Sequence, residues 1–234
     1  MSIAKKVICT SFISLKREII KTSDGSTTIH IPEWNEQYHS IHGAIQEASH
    51  VYIKHGLKYK TINGIAVLEI GFGTGLNSFM TFLEAQEKDL LIEYVGVEAY
   101  PILQEELSKL NYVAELNAID FTEIFDLFHL CSWEEKHQIT PNFSLLKRKQ
   151  FFHEIDDENK FDVIYFDAFG ARVQPELWTE EIFFKMFLAL KPEGVLVTYA
   201  AKGSVRRAMQ SVGFNVERLP GPPGKREMLR AIKS

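Results

Sequence analysis

The stretch Val67-Leu-Glu-Ile-Gly-Phe-Gly-Thr-Gly-Leu-Asn77 constrains the fold of this chain more than any other, because an apolar run of strand character enters closely spaced glycines and leaves as a helix. Glycines 71, 73 and 75 allow a sharp turn and a close approach of backbone to a ligand, and the following helix aims free N–H groups at it. Such a turn suits a nucleotide-like ligand. The dinucleotide fingerprint Gly-x-Gly-x-x-Gly is not met: the third glycine comes one position early and Leu76 stands in its place. Glu69, two residues before the first glycine, would repel a diphosphate but favour an ammonium or a sulfonium. A second apolar strand, Ile92 to Val97, ends in Glu98, 23 residues beyond Gly75 and spaced to accept hydrogen bonds from both hydroxyls of a ribose. Two acids and a glycine turn together favour S-adenosylmethionine, held by Glu69, Gly71, Phe72, Gly73, Thr74, Gly75, Asn77, Glu98 and, from a later strand, Asp167.

Downstream, apolar strands at 66–70, 92–97, 144–149, 162–167 and 194–199 alternate with helical patterns at 76–87, 101–111, 121–131, 178–190 and 203–211. That alternation predicts a mainly parallel sheet in an α/β, Rossmann-like domain. Phe214 to Leu219 and Glu227 to Ile232 read as an antiparallel pair joined by Pro220-Gly-Pro-Pro-Gly224. Upstream, Lys16 to Thr22 and Thr27 to Ile31 flank Asp24-Gly25-Ser26 as a β-hairpin, and His42 to His55 has a helical pattern. Residues 1–60 are therefore expected to form a hairpin-and-helix extension packed on a main domain of 61–234. The span from 112 to 145 carries no clear pattern.

Composition excludes several classes. With 234 residues, 45% hydrophobic and 24% charged, the chain can bury a full core. No apolar run approaches the roughly 18–20 residues of a membrane span, and the start Met-Ser-Ile-Ala-Lys-Lys lacks a secretory signal core. Cys9 and Cys131, far apart, read as reduced thiols of a cytoplasmic protein. Histidines 39, 42, 50 and 55 cluster, but without the companions of a metal site, and packing or substrate contact is expected instead. The net charge of −5 hides an asymmetry: from Lys202 onward eight Lys or Arg face two Glu, so this end has six positive charges in excess and the rest eleven negative. Lys202, Arg206, Arg207, Lys225 and Arg226 are candidates for contacts to nucleic-acid phosphates.

The strand Phe161-Asp-Val-Ile-Tyr-Phe delivers Asp167 and then Phe169 at its carboxyl end, the edge of an open α/β sheet where ligands bind. Methyl transfer from a sulfonium needs a nucleophile held in line and unprotonated. Asp167 suits the orientation of an amine and Phe169 stacking on a planar base, with proton loss to water or assisted by Tyr199 on the same rim. Ser204 is expected to cap the helix that follows Lys202.

The set Asp24-Gly-Ser26, Tyr38-His-Ser40, Glu69 to Asn77, Asp167-Ala-Phe169 with Pro175-Glu-Leu-Trp178, Thr198, Arg206-Arg207 and Gly224-Lys-Arg-Glu-Met228 resembles the methyltransferase domain of the bacterial MnmC family over nearly the whole chain. The resemblance implies a class I methyltransferase fold with a seven-stranded-type sheet. It further implies S-adenosylmethionine-dependent methylation of the 5-aminomethyl group on the wobble uridine of tRNA, often 2-thiolated. Longer members carry a flavin-dependent oxidase domain for which this chain is too short, so a separate enzyme is expected to install the aminomethyl group. In place of the acid that the family sets near the adenine stand Lys149-Gln150, with Glu154 and Asp156 farther along, and Gly170-Ala171-Arg172 replaces an Ala-Pro turn. Rival readings are an aminopropyl-type transferase or another small-amine N-methyltransferase, and a nucleotide- or RNA-binding module without catalysis.

Overall fold

The computed structural model describes residues 15–234, and Cys9 lies outside them. Eight strands form the central sheet: β4 (Gly64–Ile70), β5 (Leu91–Val97), β6 (Lys136–Thr140), β7 (Phe143–Arg148), β8 (Phe161–Phe166), β9 (Leu190–Thr198), β10 (Asn215–Pro220) and β11 (Glu227–Ile232). Their order is β10-β11-β9-β8-β4-β5-β7-β6. The five strands from β9 to β7 are parallel, while β10, β11 and β6 pair antiparallel with their neighbours. Chain order runs one way from β4 to β7 and the other way from β8 to β9, so the switch point lies between β4 and β8.

Strand residues are apolar on both faces because both faces are covered. Val67, Tyr94, Leu145, Tyr165 and Val197 belong to one core; Leu68, Val95, Ile164, Phe166 and Leu196 belong to the other. Over the first face lie α1 (Ala44–Ala48) with its π-helical continuation Ser49–Lys54, α2 (Leu76–Lys88), α4 (Tyr112–Glu115) and α5 (Thr122–Leu130). Against the second pack α6 (Glu180–Ala189) and α7 (Gly203–Ser211). Among the described residues no helix is long and apolar enough to cross a membrane.

Three sequence expectations change. The helix expected over 101–111 shrinks to α3 (Gln104–Leu107), with α4 following separately. In the unpatterned span, polar β6 closes the sheet edge, a place where Lys136 and His137 can face water. Lys202, not Ser204, stands at the N-cap of α7, and no side chain caps it.

The expected hairpin is β1 (Glu18–Lys21) with β2 (Thr27–Ile31), and β3 (Glu36–Gln37) adds a third strand. Asp24 explains why this turn and α1 come together. One carboxylate oxygen accepts from Thr22 Oγ1 at 2.8 Å and Ser26 N at 3.1 Å, and the other accepts from Gln46 N at 3.0 Å, which serves a free N–H of α1.

Candidate functional site

The switch point opens into a cavity of about 340 Å³. Its floor is the glycine turn, tied to the end of β5 by Gly71 N and Phe72 N, both donating to Val97 O at 3.0 Å. Gly71, Gly73, Glu98 and Asp167 line it. Glu98 Oε2 accepts from Gly73 N at 3.0 Å and Oε1 from Tyr100 N at 2.9 Å, so the acid is braced by backbone. Burial pushes its carboxyl up, and these two N–H groups oppose that shift.

The other expected cofactor residues stand behind the wall. Phe72 packs over Gly96, His129 and Trp133, with Trp133 6.3 Å away between ring centroids. Thr74 is 1% exposed and takes His39 Nε2 at 2.7 Å and the Tyr112 hydroxyl at 3.2 Å. Burial holds His39 down to about 4, neutral at ordinary pH, as a packed histidine requires. Gly75 is the N-cap of α2. Glu69 and Asn77 are each 1% exposed. Among the described residues no group of three His, Cys, Asp or Glu is placed to hold a metal.

Asp167 lines the cavity beside the glycine turn, where a Cβ on Gly71 would stand 2.6 Å from its carbonyl oxygen, and Phe169, two residues on, lines it as well. Burial raises its carboxyl to about 7; Glu47 pushes the same way, while Tyr52, Asn77 and Lys225 favour the charged form. Phe169 meets Trp34 and Tyr38 edge to face, at 5.6 and 5.0 Å between centroids. Trp178 Nε1 donates to Phe169 O at 2.8 Å, which gives the Pro175-Glu-Leu-Trp178 segment its place: it props the Asp-Ala-Phe loop. Arg172 Nη2 donates to Trp34 O at 2.7 Å and to Asn35 O and Glu36 Oε1 at 3.0 Å, fastening that loop to the β2–β3 turn.

Tyr199 and the basic residues depart from expectation in part. The Tyr199 hydroxyl donates to Ala168 O at 2.8 Å and burial raises it well above the usual tyrosine value, so it braces the loop and is a poor base. Lys225 turns inward, ion-paired with buried Glu47 and lying 3.8 Å over the Tyr199 ring centroid, so it is not a free phosphate contact. Lys202, Arg207 and Arg226 are exposed; Arg206 is partly buried, with its Nε enclosed and unpartnered.

The sequence alone assigned no site role to several wall residues. Tyr38 reaches the cavity from the amino-terminal sheet. Glu154 enters with Phe151 and His153 from the loop after β7, whereas Lys149 and Gln150 do not line it. The Arg148–Asp157 ion pair, 2.5 Å, closes that loop and turns Glu154 back to the site. The spacing of five residues between Arg148 and Glu154 hid this, because only a folded-back loop makes Glu154 a neighbour of the strand end.

Comparison with known proteins accords with this architecture. Residues 133–234 match a family described as S-adenosyl-L-methionine-dependent methyltransferase, which is the cofactor the glycine turn and Glu98 point to. The tRNA 5-methylaminomethyl-2-thiouridine biosynthesis bifunctional protein MnmC of Hydrogenovibrio crunogenus is 27% identical over 83% of this chain and 31% of its own length. The protein of that name from Leptospira interrogans is 30% identical over 84% and 32%. The chain thus spans about a third of the length of these relatives. Among solved structures, MNMC2 from Aquifex aeolicus superposes with a TM-score of 0.71 at 22% identity, over 99% of this chain and 77% of that one. A spermidine synthase in complex with a transition-state analogue reaches 0.58 at 16%, over 94% and 69%, a likeness of fold. The sheet is therefore that of a class I methyltransferase with β6 added at its edge, and the chain is a relative of the MnmC proteins whose residues 133–234 match the S-adenosyl-L-methionine-dependent methyltransferase family.

Proposed function

We propose that this chain methylates the 5-aminomethyl group of a wobble uridine in tRNA, often 2-thiolated, to give the 5-methylaminomethyl base. The observation that carries the reading is one cavity lined together by the glycine turn, Glu98, Asp167 and Phe169. Bound S-adenosylmethionine would supply a sulfonium methyl for in-line displacement, the amine lone pair forming the C–N bond as the C–S bond breaks. Glu98 would accept the ribose hydroxyls, and Gly71 and Gly73 would let backbone approach without a Cβ in the way.

A free aliphatic ammonium has a pKa near that of lysine, roughly 10, and must lose a proton before it attacks. Enclosure lowers the amine and has already raised Asp167 to about 7, which narrows the gap between donor and acceptor. Asp167 therefore takes the proton itself, a role beyond orientation and one Tyr199 does not share. Trp34, Tyr38 and Phe169 offer aromatic surface to a base drawn out of an unpaired loop. Lys202, Arg206, Arg207 and Arg226 face the phosphates of the anticodon loop.

On this reading residues 1–60 are an extension that lends Trp34 and Tyr38 to the 61–234 methyltransferase domain, another enzyme installs the aminomethyl group, and the protein works in the cytoplasm. Incubation with methyl-labelled S-adenosylmethionine and tRNA bearing or lacking the aminomethyl group, followed by digestion to nucleosides, should place label in one modified uridine of the first tRNA alone. Label in a polyamine, or none, defeats the proposal. Glu98→Ala should weaken S-adenosylmethionine binding about a hundredfold by calorimetry, since hydrogen bonds to a charged group contribute about 1.5–3 kcal/mol each.

A further inference from the structure

Alternation along parallel strands sets Glu69 and Asp167 on one face of the sheet. Glu69 is in register with Tyr165, and Asp167 lies two residues farther on, so both side chains point toward α2. Asn77, in the first turn of α2, stands between them. Its Nδ2 donates one N–H to Glu69 Oε1 at 2.9 Å and the other to Asp167 Oδ2 at 2.8 Å. The second oxygen of Glu69 accepts from the Tyr94 hydroxyl at 2.9 Å. Asn77 Oδ1 is enclosed without a partner. With Nδ2 toward both acids the amide offers each a donor; burial raises Glu69 well above the usual carboxylate value, and the bond from Asn77 opposes that shift.

We infer that Asn77 is the positioning residue of Asp167: its amide, anchored through Glu69 to Tyr94, ties down Oδ2 and leaves Oδ1 for the substrate amine. This rests on the reading of Asp167 as proton acceptor in an amine methylation, and it replaces the cofactor contact expected of Asn77. Glu69, Asn77 and Tyr94 do not line the cavity, so this chain of bonds reaches the reaction only through Asp167. Other groups also bear on Asp167: Glu47 from α1, Tyr52 from the π-helical turn, Lys225 from the β10–β11 loop and Tyr199 beyond β9. The Tyr52 hydroxyl lies close enough to favour the carboxylate but has no partner at hydrogen-bond geometry. None of these donates to Oδ2 as Asn77 does.

The test is the titration of the Asp167 side-chain carboxyl by ¹³C NMR in the free protein, its signal assigned with Asp167→Asn. Loss of a donor to the charged form raises a carboxyl pKa. Asn77→Ala should therefore move the midpoint up by about one pH unit, and Tyr94→Phe should move it the same way by less. The acid limb of methyl transfer should follow, with kcat at neutral pH down about tenfold and S-adenosylmethionine affinity within about twofold of the parent. An unmoved Asp167 midpoint in Tyr94→Phe and in whichever of Asn77→Ala or Asn77→Ser folds, with cofactor affinity lost, overturns the inference. Should the parent protein fail to methylate tRNA, the reading of the reaction falls, and the titration still decides the role of Asn77.

Discussion

Replacing Asp167 by asparagine should lower methyl transfer by about 10²–10⁴-fold, the usual contribution of a positioned general base. Asparagine keeps the size and can still accept from Asn77, so S-adenosylmethionine affinity should stay near that of the parent. Stability should move the other way. The Asp167 carboxyl is raised from 3.8 to about 7, so between these values the folded protein holds a proton that the unfolded chain has released. Stability then falls as pH rises through this window, and the cost of the buried charge is fully present above about pH 7. The asparagine variant should match the parent near pH 4 and exceed it at pH 8. Linkage sets a ceiling of about 4 kcal/mol, and about 2 kcal/mol is expected because the side chain is partly exposed and Lys225 lies near. Thermal unfolding at the two pH values measures the difference. A variant that turns over like the parent would remove Asp167 from the chemistry; equal stability at pH 8 would mean the carboxylate is not desolvated.

Residues at strand ends were legible in the sequence because an apolar run announces where its carboxyl end lies. Glu98 and Asp167 follow such runs, and both line the cavity. The positions of the five parallel strands along the chain were readable for the same reason. Tyr38 was legible only as part of the motif Tyr38-His-Ser40, and Trp34, which packs on Phe169, not at all, since both come from a small sheet whose placement depends on Asp24, His39 and Thr28, all polar partners that periodicity does not register. Thr74 and Asn77 belong to the motif that revealed the turn, yet their side chains point into the protein; spacing shows where the backbone turns, not which face each side chain takes. Lys225 misled differently. Within a basic strip it reads as surface charge, and only the burial of Glu47, far away in sequence, turns it inward. Polar β6 escaped because an edge strand needs no apolar alternation.

Gly71→Ala should damage both the fold and the cavity floor. Gly71 has φ +92°, and a Cβ there would stand 2.6 Å from the carbonyl oxygen of Asp167. Neither side can yield cheaply. Asp167 N donates to Ile70 O at 2.9 Å, and Gly71 N donates to Val97 O at 3.0 Å, so a retreat of either backbone breaks the joint between β4, β5 and β8 at the cavity floor. Strain at a positive φ adds to the clash. A loss of about 3 kcal/mol is expected, lowering Tm by roughly 6–12 °C for a chain of this size. The displaced turn should also weaken S-adenosylmethionine binding by more than about a hundredfold, because the same shift moves the floor at Gly71 and the Asp167 wall. Gly64→Ala is the control: it opens the same strand, and a Cβ there meets nothing within 4 Å, so stability and affinity should stay close to the parent. Calorimetry on the two variants separates the effects. Parent-like affinity in a folded Gly71→Ala protein would mean that the cofactor does not lie on this turn, and the assignment of the cavity would go with it.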